Sequence, residues 1–149
     1  MSVIGKKEEF HTNQSIREYV NDVIERPILF MISNREGINL YTHYFDKTTK
    51  NALDSQLVNA IIISLTNFCS DAFRYVSHRS INAISYNDQY ILYSELENGN
   101  IIIWVLITQQ DIKTHMLKLR KLIKKDCIQN VSLDKLEDQI LQELNEILG

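Results

Sequence analysis

The run Ile101 to Thr108, IIIWVLIT, constrains the fold more than any other stretch of the chain. Seven consecutive apolar residues without polar alternation indicate a central strand covered on both sides. A strand of that kind needs one layer of structure above it and one below. Ile28 to Ser33, ILFMIS, has the same character, so these two segments are expected as the interior strands of one sheet.

The remaining elements fall around them. Ser15 to Arg26 carries an apolar stripe of Ile16, Tyr19, Val20, Val23 and Ile24 between charged residues, which predicts a helix stopped by Pro27. Asn34 to Gly37 supplies a turn, and Ile38 to Phe45 a second, antiparallel strand. Leu53 to Val76 reads as the central helix, Ser80 to Tyr86 as a third strand and Tyr90 to Leu96 as a fourth. Asn98-Gly99 suits a type I′ hairpin turn into the fifth strand. Asp111 is placed to cap a helix running to about Cys127, and Ser132 opens a last amphipathic helix. The order is αββαβββαα: an α+β fold, an α/β/α sandwich around a five-stranded antiparallel sheet. Residues 1–13 read as a mobile tail and 14–149 as a single domain.

Composition removes several function classes. Four glycines and one proline leave little material for a phosphate-binding loop or a many-turned β-sandwich. A net charge of -3 argues for no global attraction to nucleic acid or membrane. No apolar run is long enough for stable membrane insertion, and Cys69 and Cys127 are expected as reduced thiols of a cytoplasmic protein. No nucleotide, zinc or nucleophile-elbow motif occurs, and His11, His43, His78 and His115 share no ligand spacing. No catalytic residue, metal site or cofactor is assigned.

The central helix is the informative element. Leu57, Val58, Ile61, Ile62, Leu65, Phe68, Cys69, Ala72 and Phe73 define a broad face expected to meet the core. Asn59, Ile63, Thr66, Asn67 and Ser70 are then expected to face outward, and no charge stands between Asp54 and Asp71. A helix on a soluble domain usually carries charges on its wet side, so a second contact is expected there. On that reading, Ile63→Glu with Asn67→Lys would dissociate a dimer and leave the fold intact.

The segments Ile28 to Phe45, Leu57 to Phe73 and Ile81 to Thr108 together resemble the longin and Roadblock superfamily, profilin-like in layout. The resemblance rests on ββαβββ order and apolar rhythm. It implies a non-enzymatic platform or regulator that binds a small Ras-like GTPase, in trafficking or signalling complexes, as a homodimer or a heterodimer with a related domain. It also implies that the third strand is the pairing edge, adding Ser80, Asn82 and Ile84 to the expected interface. The resemblance implies that any acceleration of GTP hydrolysis would work by shaping the GTPase's own site rather than by contributing a catalytic group; for the other route, an arginine finger, Arg35 and Arg79 are the exposed candidates. Lys113, Lys118, Arg120, Lys121, Lys124 and Lys125 form a basic run. It either pairs with the acidic last helix or faces an acidic partner or anionic lipid. A PAS-like small-molecule sensor and a structural subunit indifferent to nucleotide state are the alternative readings.

Overall fold

The computed structural model describes residues 25–51, 53–73, 81–131 and 137–149. Five strands, β1 (Glu25–Ser33), β2 (Asn39–Tyr44), β3 (Asn82–Tyr86), β4 (Gln89–Glu95) and β5 (Ile101–Thr108), form one sheet in the order β2-β1-β5-β4-β3. Every neighbouring pair is antiparallel. The two apolar runs are interior strands, as their lack of alternation requires, and β5 is the central one.

The pleat of β5 divides the core. Ile101, Ile103 and Val105 face one side with Leu29 and Met31 of β1, where helix α1 (Ser55–Ala72) contributes Val58, Ile62 and Ile63. Ile102, Trp104 and Leu106 face the other with Phe30 and Ile32. That side is covered by α2 (Ile112–Ile123), the one-turn α3 (Asp126–Gln129) and α4 (Glu137–Ile147). The chain is therefore the expected three-layer sandwich, with Phe30, Met31, Trp104 and Leu106 filling its interior.

Several boundaries differ from expectation. Glu25 and Arg26 belong to β1 rather than to a helix, because a residue before proline disfavours helical backbone. Thr108 Oγ1 donates to Glu25 at 2.8 Å, and Arg26 pairs with Asp46, so both side chains are held to the sheet. The rest of the expected first helix lies outside the described residues. The helix after Asp111 ends at Ile123 instead of Cys127: Lys125 is extended, and Gln129 Nε2 donates at 2.7 Å to the Ile123 carbonyl left open by the break. The break lets Cys127 and Ile128 turn into the core.

The β4–β5 turn is not type I′. Gly99 has φ +90°, but Asn98 has no positive φ; its carboxamide instead accepts the Asn100 N–H at 2.9 Å. A left-handed residue at the third loop position fits a three-residue hairpin better than a two-residue one.

Candidate functional site

Helix α1 is rotated about its axis relative to the sequence expectation. Asp54 caps it by accepting the Gln56 and Leu57 N–H groups, both at 3.1 Å. From that start Val58, Asn59, Ile62 and Ile63 are buried. Asn59 is 5% and Ile63 7% exposed, so two residues expected at an outer interface lie inside the chain. Thr66 is half-buried, whereas Asn67 and Ser70 remain exposed.

Hydrogen bonding explains the inversion. Asn59 Nδ2 donates at 3.0 Å to the Gly37 carbonyl of the first hairpin, and Thr66 Oγ1 donates at 2.8 Å to the Ile62 carbonyl. The bond satisfies the amide N–H side of Asn59, while its Oδ1 is buried with no hydrogen-bond partner among the described residues, so the burial is half compensated. Gly37, at φ +87°, lies over Ile63: a Cβ there would meet Ile63 Cδ1 at 3.9 Å. The β1–β2 turn thus claims the helix face that carries Asn59 and Ile63.

What remains outside is apolar. Leu57, Ile61 and Phe68 are exposed, Phe68 by 65%, with Ala60, Ser64 and Ala72 beside them. At 100° per residue, Leu57, Ile61, Ser64 and Phe68 fall within about 60° of arc and run about 16 Å along the helix. Phe73 extends the apolar surface past the helix end. The expectation of an outer face without charge therefore holds, but Leu57, Ile61 and Phe68 carry it. The sequence signal was present in the broad apolar face, which is wider than one sheet can cover.

β3 is an edge strand, as expected, and pairs with β4 alone among the described strands. Its described residues, NAISY, hold no charge and no proline. Ile84 is half-buried and points to the α1 side of the sheet with Ile91 and Tyr93, whereas Asn82 is exposed. Ser80 lies outside the described residues. On the opposite edge the β1–β2 register shifts between Ile32 and Ser33, leaving Leu40 of β2 as the extra residue, a feature that blunts pairing. Of the two edges, β3 is the regular one.

The basic run divides in two. Lys113, Arg120, Lys121 and Lys124 are exposed, whereas Lys118 and Lys125 are half-buried on the flanks. Lys125 Nζ stands 3.7 Å from Glu143 of α4. Among the described residues that is the one ion pair between the basic run and α4.

Two further groups have defined positions. Arg35 is paired with Glu95 across the β1–β2 and β4–β5 turns, which engages its guanidinium; Arg79 lies outside the described residues. His115 is buried under Trp104, with Nε2 at 3.2 Å from both Thr108 Oγ1 and Glu25 Oε2. The Thr108 hydroxyl already donates its proton to Glu25, so it offers none to the imidazole. The cluster ties the start of α2 to β1 and β5. Burial chiefly pulls the His115 pKa below 6.5, opposed in part by the Glu25 carboxylate.

Comparison with known proteins places this geometry. The sequence matches no family model, and no curated protein matches it. Solved structures do match in shape. A Roadblock/LC7 domain from Streptomyces avermitilis has a TM-score of 0.53 at 12% identity, over 68% of this chain and 82% of that one. The gliding protein MglB of Thermus thermophilus has a TM-score of 0.56 at 7% identity, over 76% and 79%. Myxococcus xanthus MglB has 0.51 at 6% identity, over 83% and 80%. A further MglB structure, with TM-score 0.56, is described with a tetrameric arrangement. At these identities the likeness is one of fold.

Proposed function

We propose, from the Roadblock/longin fold that this chain has, that the protein is a non-enzymatic, dimeric platform or regulator of a small Ras-like GTPase in the cytoplasm. The observation that carries the proposal is the exposed, uncharged stripe of Leu57, Ile61 and Phe68 on α1, on the same side of the sheet as Ile84 of the open β3 edge. An apolar helix face of this length is a liability on a monomer, and a regular strand paired on one side only among the described strands is another. Pairing two copies, or one copy with a related domain, through both features removes both liabilities. A two-fold axis would place the same residues on each side. The tetrameric arrangement described for one MglB structure is a precedent for self-association on this fold. No helix among the described residues is long and apolar enough to cross a membrane.

The test begins with mass in solution, by light scattering after size exclusion, for the wild type and for Leu57→Glu with Phe68→Glu. A wild-type dimer that becomes a folded monomer supports the interface. A wild-type monomer removes the homodimer. Pull-down with GTPases loaded with GDP or a GTP analogue then tests the partner, and preference for one nucleotide state is the expected result. Equal retention of both states would instead favour a structural subunit.

A further inference from the structure

Helix α2 exposes a face of cations without ion-pair partners among the described residues. Lys113, Leu117, Arg120 and Lys124 fall within about 60° of arc, with Lys121 beside them, along about 16 Å of helix. All five are exposed, Leu117 by 61%. No acidic residue interrupts the sequence from Ile112 to Lys125, and among the described residues none of the four cations on this face makes an ion pair.

The usual structural reasons account for only part of this face. Cations complement the helix dipole at the C-terminal end, which covers Arg120, Lys121 and the C-cap Lys124 but not Lys113 in the first turn. Nor does the spacing favour the helix, because Arg120 and Lys124 are a like-charge pair four residues apart, as are Lys121 and Lys125. The cluster is also local, since the whole chain has a net charge of -3.

We propose that the outward face of α2 is a peripheral docking surface for an anionic lipid bilayer. A convex helix bearing spaced lysines around one exposed leucine fits a flat charged surface. The ammonium groups reach headgroup phosphates while Leu117 enters the interface between them. Three of the four cations are lysine, a point charge without the fork that selects a single carboxylate. Of the acidic neighbours, Glu143 faces Lys125 on the flank and Glu95 is held by Arg35, whereas Glu97 shares the groove that Arg120 and Lys124 line, leaving Lys113 and Lys121 outside it. The surface lies on the opposite side of the sheet from α1, so it is available whether or not α1 is occupied. The inference therefore goes beyond the GTPase reading and does not depend on it.

Co-sedimentation of the full chain with phosphatidylcholine vesicles, with and without phosphatidylserine, tests it. The wild type is expected to bind the anionic vesicles at about 0.15 M salt, to be released by high salt, and to ignore the neutral ones. Lys113→Glu, Lys121→Glu and Lys124→Glu together should weaken binding at least ~10-fold with circular dichroism unchanged. Leu117→Ser should weaken it by roughly fivefold and keep the salt dependence. Failure of the wild type to bind anionic vesicles, equal binding to neutral ones, or full binding by the triple variant would overturn the proposal. Loss of a GTPase partner by the triple variant, with wild-type indifference to vesicles, would overturn it in favour of an acidic protein surface.

Discussion

Helices α1 and α2 cover opposite faces of one sheet, and both bury aliphatic side chains against it, yet their outer faces are opposites. α1 turns Leu57, Ile61 and Phe68 outward with no charge along the stripe, whereas α2 turns out Lys113, Arg120, Lys121 and Lys124. Burial against the sheet cannot be the source of this difference, because the sheet is equally apolar on its two sides. The difference is what the two proposed contacts, a dry one on α1 and a charged one on α2, would each require.

The largest expected effect breaks the comparison at its base, the rotation of α1. Ile63→Glu places a carboxylate in the α1-side core and should cost about 3 kcal/mol or more in urea denaturation. Phe68→Glu, five residues on, should change monomer stability by less than about 0.5 kcal/mol while weakening a dimer about 100-fold or more. If the two substitutions exchanged these effects, the helix would be turned the other way.

That rotation is also where sequence reasoning met its limit. The layers, the strand order along the chain and the interior places of β1 and β5 were legible, because unbroken apolar runs admit one kind of environment. The cap at Asp111 was legible from residue type and neighbouring sequence, whereas the central helix starts after its cap Asp54 rather than at Leu53. The face of α1 was not legible, because apolar residues occupy most of its circumference and the deciding contact is long-range. Asn59 is buried only because the Gly37 carbonyl, 22 residues earlier, accepts its N–H. Without that partner, burying Asn59 in preference to Leu57 would be unfavourable. The basic residues of α2 were legible as a run, but their division into an exposed stripe and a flank pair needed Glu143 in place.

Asn59→Ala sharpens the account of why α1 sits as it does. It removes the bond to Gly37 together with the unpartnered buried Oδ1, and should cost at most about 1 kcal/mol, since the hairpin carbonyl is close enough to solvent to regain a water partner. An unchanged urea midpoint would show that packing of Ile62 and Ile63 alone sets the rotation.

The α2 side should respond to pH. Burial lowers the pKa of His115, and also that of His43, below the ordinary 6.5, with Glu25 opposing and Lys118 assisting at His115. As pH falls through 6.5 the unfolded chain takes up protons that the native imidazoles still refuse, so stability declines below that point and is whole above it. Thermal midpoints from pH 8 down to 5 should fall accordingly. His115→Gln, which keeps a donor for Glu25, should flatten the slope to the share left by His43. An equal slope in the variant would place the titration elsewhere.

The smallest effect separates a structural role for the basic stripe from an interaction role. Lys113 stands in the first turn of α2, where the helix dipole favours a carboxylate and disfavours an ammonium. Lys113→Glu should therefore stabilise the fold by about 0.5 kcal/mol in urea denaturation. The same substitution removes one of the outward cations and should weaken attachment to anionic vesicles. Stability and attachment then move in opposite directions, which a lysine retained for the fold could not produce. If Lys113→Glu instead destabilised the chain, the lysine would be making a contact the fold needs, and the outer face of α2 would have the same inward explanation that the sheet gives for Ile62 and Ile63 on α1.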